Sequence, residues 1–136
     1  MKQVKFWTPT IIWMTLIFFF SSKQSVRVSE IYFLQFLFFK TLHLIEYAIL
    51  FILFYWSLKN TTNDVDWKNR ANAIIFSIVY AFTDEIHQVF VSSREGRLRD
   101  VGIDAIGILL GVFIIWKLLP KAPKKLKVWA KKLQMI

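Results

Sequence analysis

The chain has no cysteine, which excludes a disulfide framework and a thiolate zinc site. It has too little polar surface for an ordinary soluble domain of 136 residues, because 56% of the residues are hydrophobic and the mean hydropathy is +0.46. It also lacks an internal repeat and a low-complexity segment. What it has instead are apolar runs that reach the roughly 20 residues needed to cross a bilayer as a helix, within a length that suits one domain.

Four of these runs predict an all-α polytopic membrane protein, with four transmembrane helices in an antiparallel bundle. The predicted spans cover residues 6–22, 40–58, 71–90 and 101–119 of a single domain that occupies residues 1–136. No A-x-A-like cleavage site follows the first run, which favours a retained span over a signal peptide. The aromatic-rich stretch Ile31–Phe39 is short for a span, and we expect it to lie at the interface or to re-enter the membrane before the second span.

Positive charge is distributed unevenly along the chain, whose net charge is +9. With four spans, both termini and the loop at residues 60–70 share one side, and that side carries twelve of the eighteen lysines and arginines. The positive-inside rule therefore predicts a multi-pass cell-membrane protein with cytoplasmic N- and C-termini. Residues 120–136 form a basic amphipathic tail on that side, for which anionic membrane lipid is a better partner than nucleic acid.

Ionisable side chains concentrate at the predicted outer ends of the spans. Charged groups inside a bilayer are costly, so they normally face the bundle interior and indicate function. Helical spacing places Asp84, His87 and Gln88 on one helix face, and Asp100 and Asp104 are likewise four residues apart. Because three spans bring polar residues to the same depth, the sequence predicts a polar pocket in the outer leaflet. The residues at this depth are His43, Glu46, Asp84, Glu85, His87, Gln88, Asp100 and Asp104.

These residues allow several kinds of chemistry. Glu85 and His87 suit general acid and base catalysis, but the same groups can form an ion-pair network that only holds the helices together. Imidazole and carboxylate also bind zinc or manganese, yet no H-E-x-x-H spacing occurs, and we predict no metal site. Arg94, with the arginines that follow it, suits an anionic clamp or a solvated loop paired with acidic neighbours. The Gly107-x-x-x-Gly111 spacing indicates close helix packing, more often within a chain than between chains.

Two stretches of the sequence carry recognisable motifs. They are Tyr80-Ala81-x-x-Asp84-Glu85-x-His87-Gln88-x-Phe90-Val91-x-x-Arg94, then Asp100 and Asp104-x-x-Gly107-x-x-x-Gly111, and earlier Lys40-x-x-His43-x-x-x-Tyr47-x-x-Leu50. These stretches resemble the VanZ-like family of small polytopic membrane proteins, which is linked to teicoplanin resistance. Ser92 and Ser93 stand where many members have proline and glycine, and Asp104 stands where many have asparagine.

The resemblance implies a cell-envelope protein that lowers susceptibility to glycopeptide antibiotics such as teicoplanin. Its outer-leaflet pocket would bind or modify a lipid-linked anionic ligand, either a cell-wall intermediate or a lipoglycopeptide, and no particular cofactor is implied. The alternative is a protein without turnover that binds lipid or antibiotic, or a structural partner in an envelope complex. The expected catalytic residues are Glu85, His87 and Asp84, and the expected ligand-binding residues are Lys40, His43, Tyr47, Gln88, Arg94, Asp100 and Asp104.

Overall fold

The computed structural model of the protein describes residues 2–23, 30–91 and 97–135. Every regular element within these ranges is a helix, so the predicted all-α class is confirmed for this part of the chain. A π-helical turn, Ile114–Leu118, and a 3-10 turn, Leu119–Lys121, extend the fourth helix. The helices are α1 (Lys2–Ser21), α2 (Tyr32–Thr61), α3 (Asp66–Val89), α4 (Leu98–Phe113) and α5 (Lys124–Lys132).

The second helix is longer than the sequence predicted. Residues 31–61 contain no glycine or proline, so the helix that includes Lys40 extends back toward residue 31 without a break. Residues Tyr32–Phe39 form the first part of α2, so this stretch is continuous with the second span and not a separate segment, while its position at the interface stays a prediction. At 1.5 Å per residue α2 is about 45 Å long, which exceeds the roughly 30 Å hydrocarbon core of a bilayer.

Three helices are long and apolar enough to cross a membrane, judged by length and composition within the described residues. They are Gln3–Ser21, Tyr32–Thr61 and Leu98–Lys121. The sequence predicted four spans, and the predicted third one forms α3 but does not belong to this set. The reason is composition, because the polar residues near the end of α3 lower its hydropathy.

Several polar residues of α3 are buried against the other helices, whereas many of its large apolar residues face outward. This arrangement is the reverse of a soluble amphipathic helix, whose apolar stripe faces the core. It explains how a helix of modest hydropathy can present an apolar exterior. The buried polar residues are Asn69, Ser77, Asp84, Glu85 and Gln88, and the exposed apolar ones include Ile75, Phe76, Val79, Phe82, Ile86 and Val89.

Hydrogen bonds fix α1 against α2. Residues that come later in α1 contact residues that come earlier in α2, so these two helices run in opposite directions. A fully buried hydroxyl pair lies in the middle of this contact, where a lone hydroxyl would be costly. The bonds are Trp7 Nε1 to Thr61 Oγ1 (3.2 Å), Thr10 Oγ1 with Ser57 Oγ (2.7 Å) and Trp13 Nε1 to the Glu46 carbonyl (3.0 Å).

Two glycines let α4 lie directly on α2. A Cβ atom at Gly107 would overlap the backbone carbonyl oxygen of Leu44, and one at Gly111 would lie 2.8 Å from the carbonyl oxygen of Ala48. The expected role of this glycine spacing in packing within the chain is therefore confirmed. The second contact lies four residues further along both helices than the first, so α2 and α4 run in the same direction. This close approach determines which polar side chains can meet between them.

Candidate functional site

The contact between α2 and α4 contains a histidine–carboxylate pair. His43 Nδ1 lies 3.3 Å from Asp104 Oδ1, an ion-pair distance that lacks the alignment of a hydrogen bond. Asp104 is fully buried. The pair lies beside the overlap of Gly107 with Leu44, so the glycine that brings the backbones together also brings these side chains into contact.

A second ion pair lies one helical turn closer to the start of both helices. Lys40 Nζ is 2.6 Å from Asp100 Oδ2, and Arg99 Nε is 3.4 Å from Asp100 Oδ1. Both cations also lie over the ring of Phe36, at 5.8 Å for Lys40 and 5.3 Å for Arg99. Two positive groups thus share one carboxylate and one aromatic face.

Helix α3 contributes three buried polar residues. Gln88 Nε2 donates a hydrogen bond of 2.9 Å to Asp84 Oδ2. The backbone N–H of Arg97 donates a hydrogen bond of 2.9 Å to Glu85 Oε2, which connects the end of α3 to the residue just before α4. Together with the residues of α2 and α4, these side chains form what we name the polar cluster. Its members are Lys40, His43, Tyr47, Asp84, Glu85, Gln88, Asp100 and Asp104.

Several acceptors inside the polar cluster are unsatisfied. Tyr47 is fully buried and lies within electrostatic range of both Asp84 and Asp104. Buried oxygens without a partner are costly, so these atoms are suited to hold a proton or to accept a donor from a ligand. Within the described residues, the side-chain atoms that are buried without a hydrogen-bond partner include Tyr47 Oη, Asp84 Oδ1, Glu85 Oε1 and both carboxylate oxygens of Asp104.

His87 has contacts with α1 instead. Its Nε2 lies 3.0 Å from Ser22 Oγ, and its ring lies 4.4 Å from the ring of Phe18. Glu85 and His87, which the sequence predicted as an acid–base pair, therefore have different partners. The serine could not be foreseen as a partner, because it follows α1 in a stretch that the sequence indicates to be a loop.

The structure brings together the other predicted site residues that it describes. Arg94 lies outside the described residues. No group of three or more histidine, aspartate or glutamate residues is arranged to hold a metal ion among residues 2–23, 30–91 and 97–135. The backbone amide of Arg97 is a partner that sequence reasoning missed, since every residue except proline carries such a donor and no sequence pattern distinguishes this one.

Within the described residues, the polar cluster is packed between α2, α3 and α4, and the open polar pocket at this depth stays a prediction. A groove of about 320 Å³ opens between α1, α2 and α3, and its walls are mainly apolar. No residue of the polar cluster contributes to them. The lining residues are Trp7, Met14, Phe54, Phe76, Val79, Tyr80 and Thr83.

Apolar helices that enclose a charged cluster define the class of this molecule, a helical membrane protein with an ionisable interior. The chain belongs to the VanZ/LLP1 family, whose model matches residues 6–120. The match includes the whole polar cluster, and the family resemblance seen in the sequence is confirmed. Comparisons with curated proteins and with solved structures give no match.

Proposed function

We propose that this VanZ-family membrane protein lowers the susceptibility of its cell to glycopeptide antibiotics such as teicoplanin. The observation that carries the proposal is the polar cluster, in which a fully buried Asp104 lies 3.3 Å from His43 between two apolar helices. Charged groups so placed are costly to the fold and indicate function by default. Teicoplanin carries a lipid tail, so a protein within the membrane is well placed to oppose it.

We propose that the ligand is a lipid-linked anionic molecule, either a cell-wall intermediate or the lipoglycopeptide itself. Lys40 and Arg99 share the carboxylate of Asp100, so a phosphate or carboxylate on the ligand would find positive charge that is only partly neutralised. Phe36 offers an apolar surface beside both cations.

Binding without turnover is the form of this function that the contacts favour. Glu85 accepts a hydrogen bond from the backbone of Arg97, whereas His87 contacts Ser22. General acid–base catalysis by these two groups would require each to lie within hydrogen-bonding reach of the proton that it transfers on one bound ligand. Their separate partners support a role in binding and in holding the helices together.

The topology is part of the same proposal. We propose that α3 crosses the membrane beside the other three helices, which gives four spans whose directions alternate along the chain, with cytoplasmic termini. The outward-facing apolar residues of α3, such as Val79 at 55% and Ile86 at 60% exposure, support this because they would contact lipid. The bias of twelve of eighteen basic residues toward the side of the termini supports the orientation.

A structural partner role in an envelope complex is the second candidate. The start of α2 exposes large apolar side chains, including Tyr32 at 80% and Phe33 at 66%. Exposed apolar patches of this kind mark interaction sites with proteins or with lipid. In this alternative, the polar cluster would only stabilise the helices that present the α2 surface.

Expression in a sensitive Gram-positive host tests the proposal. The minimum inhibitory concentration of teicoplanin should rise more than that of vancomycin, because the protein acts at the membrane. If the protein acts by binding the ligand, Lys40→Met should remove the rise. If it acts as a structural partner, Phe33→Ser should remove the rise. Unchanged susceptibility to teicoplanin in cells that contain the protein in their membrane would refute the proposed function.

A further inference from the structure

Helix α5 has two chemically different faces. Leu126, Trp129, Ala130 and Leu133 recur at the i, i+3, i+4 and i+7 spacing of one helix face. The remaining surface carries the lysines of α5. Four of these are exposed and Lys127 is half-buried. The lysines are Lys124, Lys125, Lys127, Lys131 and Lys132.

The end of α2 holds α5 in a defined position. Three side chains of α2 donate hydrogen bonds to the backbone carbonyls that follow α5, where a helix has acceptors without partners of its own. Ala130 is buried at 4% exposure, and Met135 packs against the hydrophobic core. Helix α5 is therefore docked on the protein rather than trailing from it. The bonds are Trp56 Nε1 to the Leu133 carbonyl, Lys59 Nζ to the Met135 carbonyl (3.0 Å) and Asn60 Nδ2 to the Gln134 carbonyl (3.2 Å).

Docking covers only a small part of the apolar face. Leu126 is 53% exposed, Trp129 62% and Leu133 48%, although their spacing places them beside the buried Ala130. Lys132 Nζ lies 5.7 Å from the centre of the Trp129 ring, so charge and apolar surface adjoin. A surface that is apolar along one edge and cationic along the other matches the boundary between acyl chains and anionic headgroups.

Tryptophans at the same end of the molecule indicate where that boundary lies. Trp67 near the start of α3 is 63% exposed, and Trp116 beyond α4 is 57% exposed with Lys117 Nζ 4.4 Å from its ring centre. Tryptophan and lysine concentrate at the interface between membrane and water. Because Trp56 of α2 contacts the end of α5 directly, this helix belongs to the same level of the molecule.

We propose that α5 binds the anionic phospholipid surface of the membrane, with Leu126, Trp129 and Leu133 inserted at the headgroup boundary and the lysines on the headgroup phosphates. The charge of the lysines complements this surface, and the exposed aliphatic side chains of Leu126 and Leu133 suit its acyl chains, for which a nucleic acid has no counterpart. The proposal does not depend on the antibiotic function, because none of the residues involved belongs to the polar cluster.

Single spin labels on the full chain test this binding. The protein has no cysteine, so Leu126→Cys places one label on the apolar face, and Lys125→Cys places a control label among the lysines. The labelled chains are reconstituted in nanodiscs of phosphatidylcholine alone or of equal parts phosphatidylcholine and phosphatidylglycerol. Collision with oxygen reports contact with lipid, and collision with a water-soluble nickel chelate reports contact with water.

We expect the Leu126 label to move from water into lipid when phosphatidylglycerol is present, while the Lys125 label stays in water. Each basic residue near an anionic surface contributes about 1 kcal/mol to the free energy of membrane binding. Replacing one lysine by glutamine should therefore lower the ratio of membrane-bound to unbound α5 by up to about fivefold. Arginine in place of the lysines should preserve the shift. In the chain whose single substitution is the labelled Leu126→Cys, a rising salt concentration should return the label from lipid to water.

Equal accessibility of the Leu126 label in the two lipid compositions would overturn the proposal, whichever medium the label contacts. A response of the label to short duplex DNA in phosphatidylcholine discs, without a response to phosphatidylglycerol, would also overturn it and assign α5 to nucleic acid.

Discussion

His43 on α2 and Asp104 on α4 face each other at 3.3 Å between Nδ1 and Oδ1, beside the point where Gly107 meets the backbone of Leu44. The histidine–carboxylate contact and the backbone contact are consequences of the same close approach. A side chain at position 107 would separate the two helices and the two polar groups together. The polar cluster and the packing of α2 on α4 therefore depend on each other.

Gly107→Ala should lower the stability of the protein by about 1–3 kcal/mol, because its new methyl group meets a backbone carbonyl that cannot rotate away. Gly102→Ala is the matched control, since a Cβ atom there meets nothing within 4 Å. Thermal unfolding of the purified protein in detergent, followed by circular dichroism, measures both. Equal unfolding temperatures for the two variants would contradict the close contact between α2 and α4.

Lys40→Met should destabilise the protein by about 3 kcal/mol, because it leaves the largely buried carboxylate of Asp100 without its closest cation. Lys68→Met is the control, since Lys68 lies 4.0 Å from Asp64 in an exposed pair, and such pairs contribute about 0–1 kcal/mol. Denaturant unfolding in mixed micelles compares the two. A loss in Lys40→Met no larger than in Lys68→Met would show that the Lys40–Asp100 pair does not stabilise the fold.

The proposed topology places the start of α4 outside the cell and α5 in the cytoplasm. Single cysteines at Leu98 and Lys125, both exposed, should therefore react oppositely with a membrane-impermeant thiol reagent applied to intact cells. We expect Leu98→Cys to react and Lys125→Cys to react only after the cells are opened. Labelling of Lys125→Cys in intact cells would reverse the orientation and place the polar cluster near the cytoplasmic face.

The sequence predicted the helices and most of the polar cluster, because periodicity and charge are local properties. Spacing showed that Asp84 and Gln88 share a face, and they are hydrogen-bonded to each other. Spacing cannot show which neighbouring helix a face meets, and this is why the contact of His87 with Ser22 was not foreseen. Mean hydropathy averages over all sides of a helix. In α3 it therefore misses that several polar residues point inward and many apolar residues point outward.

The length of α2 shows a similar limit. Lys40 reads as the start of a span because it is charged and follows an aromatic stretch, yet its charge is neutralised by Asp100 from another helix. The sequence places both residues among those of the expected site, but no spacing rule pairs Lys40 with Asp100, which lies 60 residues further along the chain. The start of the second span was thus predicted at a charged residue whose ion-pair partner is evident only in the folded structure.

Glu85→Gln tests whether the charge of the polar cluster supports tolerance to teicoplanin. Glutamine keeps the shape of Glu85 and an acceptor for the Arg97 N–H, but it removes the charge and the titratable proton. Asp64→Asn is the control, because Asp64 is an exposed carboxylate outside the cluster. The measurement is the minimum inhibitory concentration of teicoplanin in a sensitive Gram-positive host, with equal amounts of each protein in the membrane. We expect tolerance with Glu85→Gln to fall to the level of the host without the protein, and tolerance with Asp64→Asn to match the wild type. Full tolerance with Glu85→Gln would refute a role for this charge.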